Sequence, residues 1–231
     1  MTDHDPGVRD GSVGDGAAPD DAPAVDAALR AGAALHNAGF VLAAHEPWEA
    51  AWLPLESGPD ERLLHGLVQF AAATHHARER NWSGAVGCAT GAAGYLSGLD
   101  SGHRGLTLWP VREWLRRLAA DPEVVERTSP PSLRVGGSVV TFADLDFEGV
   151  LLAAPALAEA LGEAALGGVD AETVELATEF AREERGTGRT DVTELLFAFC
   201  EASGARPQVA ARLADRVARK QRKREDVDGL F

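Results

Sequence analysis

Residues 60–80 read Asp60-Glu61-Arg62-Leu63-Leu64-His65-Gly66-Leu67-Val68-Gln69-Phe70-Ala71-Ala72-Ala73-Thr74-His75-His76-Ala77-Arg78-Glu79-Arg80. Leu64, Leu67, Val68 and Ala71 recur at helical spacing and give this stretch one apolar face. His65, Gln69 and His76 follow at steps of four and seven, a narrow polar stripe beside that face. His75 lies nearer the apolar side. A segment of this length with this period is a helix, and its neighbours repeat the pattern in both directions.

Upstream, a helix is expected from Ala24 to Asn37, stopped at Gly39. Phe40 to Leu53 is helical in composition but contains Pro47, which lacks an N–H and disfavours α geometry at Glu46. The segment is therefore either kinked or starts its main helix at Pro47. Downstream, Ser83 to Leu99 places Gly84, Gly87, Gly91, Gly94 and Gly98 on one stripe. Each glycine costs about 1 kcal/mol against alanine inside a helix, so the regularity reads as a groove for another helix, within the chain or in a homo-oligomer. Trp109-Pro110 opens a helix to Ala120. Leu133-Arg134-Val135 and Ser138-Val139-Val140 flank Gly136-Gly137, the one clear hairpin signal. Helices follow over 146–162 (interrupted at Pro155), 170–185, 191–202 and 207–226, the third opening with an Asp191/Glu194 pair that resembles a capping box. The expected fold is all-α, a multi-helix bundle with one small β-hairpin. Its organisation is an acidic, disordered tail at 1–23, a helical core at 24–120, a linker with the hairpin at 121–145 and a helical extension at 146–231.

The chemistry concentrates in His45-Glu46-Pro47-Trp48-Glu49-Ala50-Ala51-Trp52, answered by Gln69 and His75-His76. Buried polar groups need partners or a ligand. His45, Glu49 and Trp52 share a face of an unbroken helix. His45, Glu49 and His76 are the candidate ligands of a divalent metal, with Gln69 behind them and Glu46 as the candidate general base. Trp48, Trp52 and Gln69 would contact a small ligand in the same cleft. Position 49 is Glu, so the motif is not HExxH, and a zinc-peptidase assignment fails. If the protein is an enzyme, metal-dependent hydrolysis is the reaction class to expect. The alternative is a non-catalytic scaffold or partner-binding protein, in which His45 bonds Glu49 or Gln69 and the tryptophans seal a structural knot.

Composition narrows the classes. Asp and Glu total 36 against 22 Lys and Arg, for a net charge of −14. That balance repels phosphate backbones and anionic membranes, so nucleic acid is not an expected partner. Only Lys220 and Lys223 are lysines. Few lysines among many acids and arginines is the composition of a halophilic, salt-accumulating source, or of a GC-rich genome. The basic run 216–224 reads as cations near a helix C-terminus, and His4, His36 and His103 carry no assigned role. No apolar stretch suits a membrane span, and the acidic N-terminus is unlike a signal peptide, so a cytoplasmic location is expected. Cys88 and Cys200 read as small hydrophobes rather than a disulfide framework. No GxSxG, phosphate loop or dinucleotide fingerprint occurs.

Asn37-x-Gly39, His45-Glu46-x-x-Glu49-x-x-Trp52, Leu64-x-Gly66-Leu67-Val68-Gln69, His76, Asn81 and Gly84-Ala85 resemble an uncharacterised prokaryotic family. It is the domain-of-unknown-function family three hundred and nine, marked by HxxxExxW. The resemblance covers under a third of the chain and implies an all-helical fold with a motif suspected of binding metal. The later segments look like the extension of halophile members. Four positions depart from the family's pattern: Ala43 where an acid is frequent, Pro47 where a helix-compatible residue is usual, His65 for Gln, and Arg80 for the glycine before Asn81.

Overall fold

A computed structural model describes residues 25–228. The expected tail at 1–23 lies outside them. The chain forms helices α1 (Val25–Asn37), α2 (His45–Trp52), α3 (Pro59–Arg78), α4 (Trp82–Leu96), α5 (Leu108–Ala120), α6 (Phe147–Leu161), α7 (Ala171–Glu184), α8 (Asp191–Glu201) and α9 (Arg206–Asp228), with strands β1 (Arg134–Val135) and β2 (Ser138–Val139). The strands pair antiparallel through Gly136 and Gly137, both at positive φ as a two-residue turn of this hand requires. The fold is the expected all-α bundle with a small hairpin.

α1 explains how the pieces join. Ala27, Ala28, Leu29, Ala31, Gly32, Ala33, Ala34 and Leu35 are all buried, so the helix is enclosed on nearly every side. Small side chains let its neighbours approach closely: a Cβ at Gly32 would lie 2.3 Å from the Trp48 indole. α1 packs against α2 on one side and against α6, the first helix of the extension, on the other. α6 is likewise alanine-rich, with Ala153, Ala154, Ala156 and Ala158 buried. One hydrophobic cluster consequently runs from the motif helices through to Leu213 and Val217 of α9.

Asn37 and His36, at the end of α1, fasten the linker. Asn37 Nδ2 donates to the Leu133 and Val140 carbonyls at 2.9 Å each, and Asn37 Oδ1 accepts from Leu133 N–H at 2.7 Å. His36 Nε2 lies 3.0 Å from the Pro131 carbonyl, which can only accept. The linker is therefore held across the bundle beside its first helix.

Pro47 does not break α2. It falls in the first turn, where its missing N–H has no intrahelical partner to lose. The helix begins at His45, after a tight turn with Glu46 N–H bonded to the Ala43 carbonyl. Pro155 does not interrupt α6 either, since the helix continues to Leu161 with buried residues on both sides of it. The Asp191/Glu194 capping box does not form. Thr190 precedes α8 without capping it, and the buried Glu184 carboxylate of α7 accepts from Val192 and Thr193 N–H at 3.1 and 3.2 Å. Arg80 adopts φ +57°, the left-handed conformation that favours glycine, and its guanidinium reaches Glu126 at 2.9 Å. None of the helices among the described residues is long and apolar enough to cross a membrane.

Candidate functional site

α3 is deeply packed along its length, with Leu63, Leu64, Gly66, Leu67, Val68, Phe70, Ala71, Ala73 and Thr74 buried. Between its first two residues and Arg78, its partly exposed positions are Glu61, Arg62, His65, Gln69, Ala72, His75 and His76. α2 runs along one side of this helix and α4 along the other. The polar stripe expected from sequence is thus the floor of a trough between two helices.

The α4 wall is low because it is made of glycine. A Cβ on Gly91 would meet Gln69 Oε1 at 3.5 Å, and one on Gly84 would meet the His76 ring at 3.1 Å. Gly87 and Gly94, one step toward solvent, would meet nothing within 4 Å. The stripe expected from sequence thus faces α3 side chains at Gly84, Gly91 and Gly98, where a Cβ on Gly98 would stand 2.7 Å from Arg62, and is open at Gly87 and Gly94. There it leaves the floor open.

At one end the trough is aromatic. The His65 ring lies between Trp52, at a centroid distance of 4.0 Å, and Tyr95, stacked at 3.8 Å. Glu61 Oε1 accepts from Trp52 Nε1–H at 3.0 Å and lies 3.2 Å from His65 Nδ1. The carboxylate accepts from Nδ1–H, which in the neutral ring favours the tautomer with Nε2 as an acceptor. Helices α2, α3 and α4 are pinned together by this row. Sequence reading placed His65 on the stripe but assigned it no role, and it missed Glu61 and Tyr95. The i, i+4 spacing of Glu61 and His65 was a usable signal, while Tyr95, the one tyrosine in the chain, gave none.

The motif residues divide among three places. His45 Nε2 and Glu49 Oε2 are 3.6 Å apart, their side chains 30% and 38% exposed, on the edge of α2 that also carries Trp52. Trp48 is fully buried, its indole N–H directed at the Leu29 carbonyl at 3.4 Å, and it belongs to the core rather than to a ligand surface. Glu46, one residue round the helix from His45, opens onto a second cleft of about 480 Å3 with the 39–43 loop, His75, Arg78, Glu79 and Glu159. Desolvation there, and then the charge of Glu159, hold the Glu46 carboxyl above the usual carboxylate range. Glu46 is thus separated from the face on which His45 and Glu49 meet.

His76 sits beside the start of α4, its Nδ1 3.3 Å from Asn81 Nδ2, while Asn81 Oδ1 caps α4 at Gly84 N–H. Among the described residues no three His, Cys, Asp or Glu side chains are grouped so as to hold a metal ion. His45 and Glu49 form a pair, and His76 stands apart from them. A preassembled three-ligand centre does not fit this arrangement. The cysteines are free: burial raises the Cys88 thiol and pushes Cys200 up to about 12, which keeps both protonated at neutral pH.

No curated protein matches the chain. Residues 29–88, from α1 into α4, match a family model described as a domain of unknown function (DUF309), and the segment that carries the HxxxExxW motif resembles that family.

Proposed function

We propose that the trough over α3 is a binding cleft for a small polar ligand with a planar group. The observation that carries this reading is the glycine wall of α4, which leaves a line of polar side chains partly open along an otherwise packed helix. Glycine in a helix interior costs about 1 kcal/mol against alanine, and Gly87 and Gly94 return nothing for it through packing within the described chain. The floor offers His65 Nε2 as an acceptor, the Gln69 amide as donor and acceptor, and the His45–Glu49 pair as a charged rim. Trp52 and Tyr95 already flank His65, and a planar group would lie against the part of their rings that stays exposed. A sealed structural knot is less well supported, because His45 and Glu49 keep about a third of their side-chain surface in solvent.

A divalent metal is the second reading, carried by the His45–Glu49 contact: two donors are already adjacent, and an ion there would take its remaining ligands from water or from the small molecule. A third, carried by the open Gly87 and Gly94, sets the same α4 face against a second copy of the chain.

The test is a thermal-shift screen of small polar aromatic and carboxamide compounds on the full chain, run beside Gln69→Leu. Elemental analysis of wild type and of His45→Ala/Glu49→Ala accompanies it. The ligand reading expects compounds that raise the Tm of wild type and not of a folded Gln69→Leu, with metal well below one ion per chain. Stoichiometric metal lost from a folded double variant would favour the metal. No stabilising compound, no metal and a dimer by sedimentation would favour the contact between copies.

A further inference from the structure

The second cleft, of about 480 Å3, forms where three segments distant in sequence converge. The 39–43 loop and Glu46 at the start of α2 supply one side, His75, Arg78 and Glu79 at the end of α3 another, and Glu159 and Ala160 of α6 the third. Its volume falls within the range of about 300–1,000 Å3 that holds small molecules. The segment that resembles the family and the helical extension both contribute to it, so neither builds it alone.

Charges of both signs line this cleft without neutralising one another. Among the described residues, no ion pair within 4.0 Å involves Glu46, Arg78, Glu79 or Glu159. Glu159 is near enough to add to the upward shift that burial imposes on the Glu46 carboxyl, and no neighbouring cation opposes it. Like charges brought together in a partly desolvated place cost stability, and such an arrangement in a cleft is a mark of a binding site. The charge of Arg78 falls instead on His36, at the end of α1. The cleft therefore has an anionic side between α2 and α6, and a cationic one where α3 ends beside α1. The 39–43 loop adds apolar surface. Val41 and Ala43 are buried, but Phe40 is half-buried and Leu42 is 51% exposed.

We propose that this cleft binds a small zwitterion of the α-amino-acid type with an apolar side chain. The ammonium lies between Glu46 and Glu159, the carboxylate on the Arg78 guanidinium, and the side chain against Phe40 and Leu42. Each ligand charge thereby meets a protein charge that the chain leaves without an ion-pair partner, and a guanidinium suits a carboxylate through two parallel hydrogen bonds. Other ligands use less of the cleft. A simple anion would face Glu46, Glu79 and Glu159. A diamine or a divalent cation would answer the carboxylates, but it would be repelled by Arg78 and would leave Leu42 in water.

Isothermal titration calorimetry of the full chain with L-leucine tests the proposal. The controls are 3-methylbutylamine, which lacks the carboxylate, 4-methylpentanoate, which lacks the ammonium, and putrescine. Leucine should bind in the millimolar range or tighter, and each truncated analogue at least about ten-fold more weakly, as the loss of one charge-assisted contact implies. Glu46→Gln/Glu159→Gln and Arg78→Gln should each weaken leucine by a similar factor. All three side chains are exposed, so the Tm of both variants should stay close to that of wild type. Gln69→Leu, on the floor of the trough, should leave leucine affinity within about two-fold. No heat with leucine, phenylalanine or methionine at millimolar concentration overturns the proposal. So does 3-methylbutylamine or putrescine binding as tightly as leucine, with Arg78→Gln indifferent, which would assign the cleft to a cation alone. Leucine binding lost in Gln69→Leu but kept in the cleft variants overturns it too, and would place that ligand in the trough.

Discussion

His36 is 5% exposed, its ring 5.0 Å from that of Phe70 and its Nδ1 without a partner among the described protein groups. Because Nε2 faces a carbonyl, it carries the proton, and Nδ1 is the nitrogen that acid would have to protonate. Burial lowers the pKa from 6.5 to about 4; the Pro131 carbonyl works the other way and Arg78 adds to the lowering. The sign follows from linkage. The unfolded chain takes up this proton near pH 6.5 and the folded one only near 4, so the contribution is intact above pH 6.5 and lost as pH falls through that window. The loss reaches about 3 kcal/mol, at a slope approaching 1.4 kcal/mol per pH unit. His36→Gln keeps a donor for Pro131 and removes the titration. Its urea unfolding free energy should fall much less between pH 6.5 and 4.5 than that of wild type, and equal slopes would show that carboxylates alone set the acid response. Sequence reading placed His36 at a helix end and gave it no role. Its neighbour Asn37 was marked by the family motif, yet the partners of both lie 95 to 103 residues away, beyond the reach of local pattern.

The elements were legible wherever periodicity and a stop signal agreed. α1 ends before Gly39, α3 fills the 60–80 stretch and α7 ends before Gly186, each close to the expected bounds. Pro47 was misjudged because a breaker's effect depends on which hydrogen bond it removes, and in the first turn it removes none within the helix, whereas α6 continues through Pro155 at the loss of one. The start of α8 shows the same limit. A local acid pair suggested a capping box, but the cap comes from Glu184 on another helix, 3% exposed and held by Lys220 from a third. Burial raises the Glu184 pKa, but the Lys220 hydrogen bond and the Thr193 and Val192 N–H groups outweigh it, so the net shift is downward. This stability is present above the unfolded carboxylate pKa and disappears as pH falls through the lowered folded value. Glu184→Ala strands Lys220 and the α8 N–H groups and should cost about 3 kcal/mol at pH 7 by urea denaturation. Asp191→Ala, which removes an exposed ion pair with Arg216, should cost under about 1 kcal/mol. The reverse order would return the cap to Asp191.

At the scale of the whole molecule, the alanine faces of α1 and α6 make one body of what composition divided into core, linker and extension. The fold class followed from helical periods alone, and the trough's polar floor was visible as a stripe. What sequence could not supply was depth. Trp48 and Trp52 sit four residues apart in one motif, but one is sealed in the core and the other lies at the trough, because α1 covers only the first. Charge acts at this same scale. With 36 acids against 22 basic side chains, most of the surface repels itself, and the basic end of α9 is too local to compensate. Short ion pairs such as Arg80–Glu126 at 2.9 Å are weakened by salt, but among the described residues they involve only a minority of the acids. The Debye length shrinks from about 10 Å at 0.1 M to about 3 Å at 1 M, which screens the diffuse repulsion before it affects contacts at bonding distance. The Tm should therefore rise between 0.1 M and 3 M KCl. Sodium perchlorate separates this effect from simple salting-out: screening is common to both salts at 0.1 to 0.5 M, so an early rise in each is expected. A Tm that climbs only in KCl above 1 M would instead assign the stabilisation to strengthened apolar burial.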